Sequence, residues 1–379
     1  MVIFAGLKAT CLQNRQGRQE PSAEGQSVPG VKDSGPGKFH PGLARPRQPA
    51  SLGLPVQSSF WLLSTPMKKV ALLYNPLAGG RLKRRLADVK AVVAVLREAG
   101  VEVIASPTRV ASDATPQVRQ AIAEGCDTVF ACGGDGTVHD VLQALVGSQV
   151  ALGIIPLGTA NALAHDLSIP LSSARAARAA LTAKPKRIAI GQATYQDLAG
   201  NPASRYFTVT FGAGVDAHLF HELDPRVKLR WGMAAYYAQA TWLWLTHRMR
   251  GFAVEVRGAD GQARQAEVSE LLAVRIRNFG GVLRQLAPGA SLDRDDLRLV
   301  LFRTRSRLTY LGYIVRGLLG ARWEIDGIDL VHAASVVCRP LPGAENLPFY
   351  VEADGEILGT LPAEVRVVPD ALTILIPEQ

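Results

Sequence analysis

The sequence predicts an α/β domain with a parallel sheet, followed by a β-sandwich-like domain. Two observations carry the prediction. From Met67 to about Ala183, apolar runs alternate with segments of helical period, and beyond Lys184 short alternating runs separated by turn residues take over. Length agrees, because 379 residues, 47% hydrophobic and 20% charged, suffice for two ordinary domains with a core each.

Residues 1–66 hold 8 Gly, 8 Pro and 7 Ser and show no periodicity, so a disordered N-terminal extension is expected there. At Met67 the character changes to "MKKVALLYNPLAGG", which reads as the start of the folded protein and makes Met67 a candidate initiator.

In the first domain (67–183) "KKVALLYN" reads as a buried strand. Leu82 to Ala99 has helical spacing that Gly100 stops, and "VEVIAS" is the next strand. Pro116 to Glu124 reads as a helix, "DTVFAC" as a strand, Val138 to Val146 as a helix and "VALGIIPLGT" as a strand. In the second domain (184–379) "RYFTVTF", "FAVEVR", "LLAVRIRNF", "LRLVLF", "VRVV" and "LTILIP" read as strands. Helices are expected near Gly232 to Arg250 and Leu308 to Trp323.

Ligands of such a fold lie at the carboxyl ends of the parallel strands, where this sequence has three glycine turns. They are "NPLAGG" (Asn75 to Gly80, with Gly79 and Gly80), "CGGDGT" (with Gly133, Gly134, Asp135, Gly136 and Thr137) and "PLGTAN" (with Gly158, Thr159 and Asn161). Glycines there can take positive φ and let backbone N–H groups approach a phosphate, and a helix N-terminus after the second turn favours anions. The carboxylate of Asp135 amid these glycines either faces a metal or fixes its own turn. Near the C-terminus, "EADGEILG" sets Asp354 and Glu356 on either side of Gly355. On a strand, both carboxylates share one face; the alternative is a hairpin turn.

The net charge of +9 suits acidic partners such as nucleotides or anionic lipid head groups. Cys11, Cys126, Cys132 and Cys338 lie far apart, which argues against a zinc motif or a disulfide framework and for a reducing, cytoplasmic setting. No signal-peptide core and no run of 18 apolar residues are present, so neither export nor a membrane span is expected.

With Thr108 in "TRVASDA", "FGAGVDA" with Asp216, "APGASL" and "VEADGEILGTLPAEVRVVP", these turns make the sequence resemble the diacylglycerol kinase catalytic superfamily. That group includes bacterial diacylglycerol kinase-like enzymes and sphingosine kinases. The glycine triplet alone is shared with NAD kinases; "DGE" and "GTAN" make the match specific. The resemblance implies an ATP-binding domain holding ATP through the turn residues and Thr108, and a β domain receiving the lipid. It also implies Mg2+-dependent transfer of the γ-phosphoryl group to a lipid hydroxyl, of diacylglycerol or a related lipid. Asp135 then stands beside the metal, and the pair Asp354 and Glu356 holds the general base, with Glu356 also able to assist the metal.

The sequence departs from the resemblance at "SLDRDDLRL", where relatives carry acids and a glycine for a second, structural metal. Here Arg294 and Asp295 intervene, which puts that metal in doubt unless the arginine pairs with a carboxylate. His139 and Asp140 stand where Asn and Glu are frequent; His139 reads as a helix-surface or outer residue without catalysis. The expected partners are ATP and a lipid at the membrane surface, met by basic, aromatic helices, with no nucleic acid. The assembly is open between monomer and homodimer. The competing readings are an NAD-kinase-like or other small-molecule kinase, which needs a polar acceptor pocket, and a catalytically silent nucleotide- or lipid-binding protein.

Overall fold

The computed structural model describes residues 67–76, 82–108, 114–222, 238, 241–242, 244–280, 286–321 and 323–378. The extension 1–66 lies outside them, as do residues 232–237, 239, 240 and 243 of the helix expected from Gly232 to Arg250.

Four strands, β1 (Lys69–Tyr74), β2 (Glu102–Pro107), β3 (Thr128–Gly133) and β4 (Ala151–Pro156), form a parallel sheet in the order β2-β1-β3-β4. Both faces of β3 and β4 are covered, so every residue in them is buried and their sequences are unbroken apolar runs. The crossovers are α1 (Leu82–Glu98), α2 (Thr115–Ala123) and α3 (Asp135–Leu145), followed by α4 (Ala162–Asp166) and α5 (Ser173–Leu181). The third helix starts at Asp135, earlier than its apolar period suggests, because "DGT" forms its first turn.

The second half contains β5 (Lys184–Asp197), β6 (Pro202–Phe207), β7 (Thr210–Gly214), α6 (Val215–Glu222), β8 (Phe252–Arg257), β9 (Ala263–Val268) and β10 (Glu270–Val274). It continues through β11 (Leu297–Phe302), α7 (Arg307–Leu319), β12 (Ile328–Ala333), β13 (Ser335–Pro340), β14 (Tyr350–Ala353) and β15 (Glu356–Ile376). Antiparallel pairing in the order β12-β11-β10-β7-β14-β15 builds one layer of a sandwich-like domain. Side chains divide with period two: Leu271, Ala273, Leu299 and Leu301 enter the core between the layers, while Leu272, Val274, Val300 and Phe302 meet α6 and α7 on the other face.

The division at residue 184 does not follow the packing at the chain's end. Strand β15 runs beside β4 in parallel at Ile374 and Leu152, and Leu372, Ile374 and Leu375 belong to the core of the first domain. The long β15 is therefore shared, and it carries the DGE turn at its start into fixed relation with the parallel sheet.

Candidate active site

The strand ladder places the expected residues on one edge. Asn75 N–H donates to Cys132 O (3.3 Å) and Thr108 N–H to Tyr74 O (2.9 Å), so Asn75 continues the carboxyl end of β1 beside β3 and Thr108 that of β2, one strand further out. Gly79 and Gly80 lie outside the described residues.

The glycines are needed for close approach rather than for the positive φ expected of them. Neither Gly133, Gly134, Gly136 nor Gly158 is at positive φ. A Cβ on Gly134 would stand 3.2 Å from Gly158 Cα, and one on Gly158 would run into Gly134 Cα and lie 2.8 Å from Asn161 Oδ1. The "GGDGT" and "GTAN" turns thus meet backbone to backbone. Asn161, itself left-handed at φ 49°, closes the second turn by accepting from Gly158 N–H and donating to Gly158 O, both at 2.9 Å. Thr137 is buried beneath Gly133, and Thr159 is exposed at the rim.

Asp135 does not close its own turn through the bond seen here. Its Oδ1 accepts from Ala162 N–H at 2.7 Å, the first residue of α4, and so ties the two glycine turns together. The N-terminal amides of α3, at Asp135 and Gly136, have no acceptor within the helix and suit a phosphate.

The DGE segment is a hairpin turn, which overturns the shared-face reading. Asp354 and Gly355 sit at φ 51° and 89°, the positive values of a two-residue turn joining β14 to β15. The two carboxylates diverge. Asp354 is buried, and its Oδ1 accepts from Val209 N–H (2.9 Å) and Thr210 N–H (3.1 Å) while Oδ2 accepts from Thr208 N–H (3.1 Å). His139 Nδ1 lies 3.3 Å from the same Oδ2, so this histidine is buried between the domains instead of on a helix surface. One turn along α3, Gln143 donates to Tyr206 O and accepts from Tyr206 N–H, both at 2.9 Å. Positions i and i+4 of one helix therefore fasten the glycine turn to the β domain.

Glu356 points the other way, over the glycine turn: a Cβ on Gly136 would stand 2.6 Å from its Oε1. The residue as a whole is exposed, with its Oε1 turned onto the loop at Gly136. Burial raises its pKa, His139 opposes the rise, and Asp354 adds to it. A carboxylate raised toward neutrality and held over a phosphate cradle can accept a proton from an attacking hydroxyl.

Sequence reasoning missed a group of buried acids behind the turn. Glu352 Oε2 accepts from Gly355 N–H (2.8 Å), and Glu270 Oε2 accepts from Asp216 N–H (3.0 Å) at the start of α6. Burial first, then the Asp216 carboxylate, pushes Glu352 up to about 8 and Glu270 well above the carboxylate range. Glu352 Oε1 and Glu270 Oε1 are buried without a hydrogen-bond partner. An acid amid the apolar "FYVEA" and "SELLAV" was the available signal. Asp216 and Glu270 are the charged lining of a pocket whose remaining walls include Leu219, Leu272, Phe302, Tyr313 and Ile314.

The structural metal does not fit the residues present. Asp293 is held by Lys186 Nζ at 2.5 Å and Arg277 Nη2 at 3.3 Å, and the Lys186 hydrogen bond leads the causes that lower its pKa. Arg294 Nε donates to Asp296 Oδ1 at 2.9 Å, and buried Arg275 takes the main-chain carbonyls of Arg294 (2.8 Å) and Ala189 (2.7 Å). Side-chain cations occupy the acceptors a divalent ion would need. The phosphate-side residues do fit ATP with magnesium, since the cradle is one that added Cβ atoms would fill and two carboxylates, Asp135 and Glu356, flank it.

The diacylglycerol kinase catalytic domain family matches residues 69–193, and the family described as YegS C-terminal NAD kinase beta sandwich-like domain matches residues 209–376. The diacylglycerol kinase of Bacillus subtilis (strain 168) is 27% identical over 317 residues, 83% of this chain and 98% of that one. That of Mycobacterium tuberculosis (strain CDC 1551 / Oshkosh) is 29% identical over 309 residues, 82% and 95% respectively. A crystal structure of a diacylglycerol kinase from Bacillus anthracis str. Sterne aligns at TM-score 0.58 and 20% identity over 83% of this chain and 98% of that one. A second structure from that organism aligns at TM-score 0.65 and 24% identity over 85% and 98%. At these identities the structural likeness is one of fold.

Two outcomes are expected from this geometry. Gly158→Ala should separate the glycine turns, costing about 1–3 kcal/mol in a denaturant titration and weakening ATP binding in calorimetry. Glu352 has a folded pKa of about 8 against an ordinary 4.5, so the stability linked to its protonation is full below pH 4.5 and is lost as pH rises toward 8. Melting temperatures across that range should fall less in Glu352→Gln than in the parent; parallel curves would refute the linkage.

Proposed function

This chain belongs to the diacylglycerol kinase catalytic superfamily, and from that premise we propose that it is an ATP-dependent lipid kinase whose general base is Glu356. The observation that carries the proposal is the Glu356 carboxylate over Gly136, at the N-terminus of α3. The γ-phosphate of ATP lies in the cradle of Gly133 to Thr137, bounded by Gly158 and Asn161, with Asn75 and Thr108 on the same edge. A magnesium ion beside Asp135 and Glu356, when bound, neutralises charge on the polyphosphate.

The acceptor hydroxyl enters from the β domain. Its oxygen attacks the γ-phosphorus as its proton passes to Glu356, and the bond to the β–γ bridging oxygen breaks to release ADP. Asp354 is a positioning residue here, since its acceptor sites are taken by three amides and His139. The small cavity beside Asp216 and Glu270, about 40 Å³, is walled mostly by apolar side chains, which suit the apolar part of a lipid such as diacylglycerol better than NAD, which asks for a polar acceptor site. In this reading the lipid is met at the surface of the bilayer; no helix among the described residues is long and apolar enough to cross a membrane.

Labelled ATP offered with diacylglycerol, a sphingoid base, phosphatidylglycerol or NAD should label a lipid; labelling of NAD alone would overturn the proposal. Glu356→Gln should lower kcat at least about 100-fold while calorimetric ATP binding persists. It should also remove the acid limb of kcat/KM, because the base must be ionised to accept the proton. Asp354→Asn should lose activity together with stability, about 1–3 kcal/mol by denaturant titration, because buried amides lose a charged acceptor. An equal fall in kcat with unchanged stability would instead move the base to Asp354.

A further inference from the structure

Helix α7 is apolar on both sides. Its inner side packs Tyr310 and Tyr313 against Phe302, with ring centroids 4.4 and 5.1 Å away. Tyr310 Oη is also 2.8 Å from Ser269 Oγ, and the Arg316 guanidinium lies 4.5 Å over the Tyr313 ring. Its exposed positions are Leu308 (79%), Leu311 (47%), Val315 (39%) and Leu319 (68%), and no exposed position of α7 is polar. Spaced by 3, 4 and 4 residues, these four make one stripe roughly 16 Å long. A helix facing water carries charge there, and a contiguous exposed apolar patch marks an interaction site.

Tryptophans flank the stripe. Trp323 follows α7 and is exposed, and Arg307 at the start of the helix holds the segment bearing exposed Trp242 through Trp244 O (3.4 Å) and His247 O (2.7 Å). Just past that segment, Arg248 and Arg250 are exposed and make no ion pair among the described residues, in a chain of net charge +9. An apolar stripe edged by tryptophan and uncompensated arginine suits the interface of an anionic bilayer.

We infer that the Leu308–Leu311–Val315–Leu319 face of α7 is the surface through which this protein docks on anionic membranes. The inference rests on the lipid-kinase reading for its purpose: the inner side of the same helix, at Tyr310, Tyr313 and Ile314, lines the pocket that ends among Asp216 and Glu270. Docking by the outer side sets the acceptor pocket one helix thickness from the lipid supply.

The test is co-sedimentation of the full chain with vesicles of phosphatidylglycerol and phosphatidylcholine, or of phosphatidylcholine alone. The double variant Leu311→Asp/Val315→Asp should bind mixed vesicles at least about tenfold more weakly, with an unchanged melting temperature. Its phosphorylation of a water-soluble short-chain diacylglycerol should equal that of the parent. Arg248→Glu/Arg250→Glu should weaken binding to anionic vesicles roughly fivefold per charge and leave neutral ones unaffected. Unaltered vesicle binding in the leucine–valine variant overturns the inference. So does a parent that ignores vesicles but sediments as a dimer which that variant dissociates, since the face then joins two copies. Vesicle binding requires no turnover, so a parent that binds membranes but phosphorylates no lipid refutes the kinase reading and leaves the docking surface standing.

Discussion

The site depends on one carboxylate whose acceptor positions are all in use. Asp354 receives the N–H groups of three successive residues, Thr208 to Thr210, and returns its own N–H to Thr210 O. Hydrogen bonds to a charged group contribute about 1.5–3 kcal/mol each, so this cluster outweighs any single packing contact nearby. It fixes the turn at Asp354 and Gly355 and thereby the direction in which Glu356 leaves it. His139 and Gln143 carry the same constraint across to α3, whose first turn is the glycine loop. Glu356 in one domain and the glycine loop in the other are held in register by buried bonds at two successive turns of one helix.

Against that framework the acids behind the turn are an expense. Glu352 and Glu270 each keep a buried oxygen without a partner, and burial drives both toward the protonated form. A buried polar atom left unpaired destabilises a fold by about 1–3 kcal/mol, and a leucine at either place would pack at no such cost. Their position explains their presence better than stability does. Glu352 accepts from Gly355 N–H directly before Glu356, and Glu270 accepts from the Asp216 amide in the first turn of α6, where the apolar pocket ends.

The parallel sheet was legible because strands covered on both faces are written as unbroken apolar runs, and the sandwich because half-covered strands alternate. The glycine turns were legible as positions but not as reasons, since a glycine needed for backbone contact, as at Gly134 and Gly158, reads the same as one needed for positive φ. The return of β15 to β4 left no local trace, because pairing between Ile374 and Leu152 spans most of the chain. "ADGE" satisfies both strand and turn patterns. Only the amides of Thr208 to Thr210, more than a hundred residues away, decide that Asp354 turns inward while Glu356 faces the loop. The departure at "DRDD" was visible, yet Lys186 and Arg277, which hold Asp293, come from other elements.

The apolar period of α7 could not say which side of the helix is covered, and there the fold adds most to the sequence. Residues of period two in β10 and β11 send Leu272, Val300 and Phe302 to the face that α7 covers, so the inner side of the helix is consumed by the β domain. The outer stripe then has no partner within the described residues, although its removal from water would stabilise the protein. From that stripe inward the order is fixed: α7, the pocket beneath Tyr310 and Tyr313, Asp216 with Glu270, Glu352 under Gly355, and Glu356 over Gly136. Each step is a packed or hydrogen-bonded neighbour of the next or borders it in charge, as Asp216 does in raising Glu352. An acceptor drawn from a bilayer at the outer stripe would approach the cradle hydroxyl first with its chains toward the membrane, an orientation that a pocket opening anywhere else on the domain would not impose.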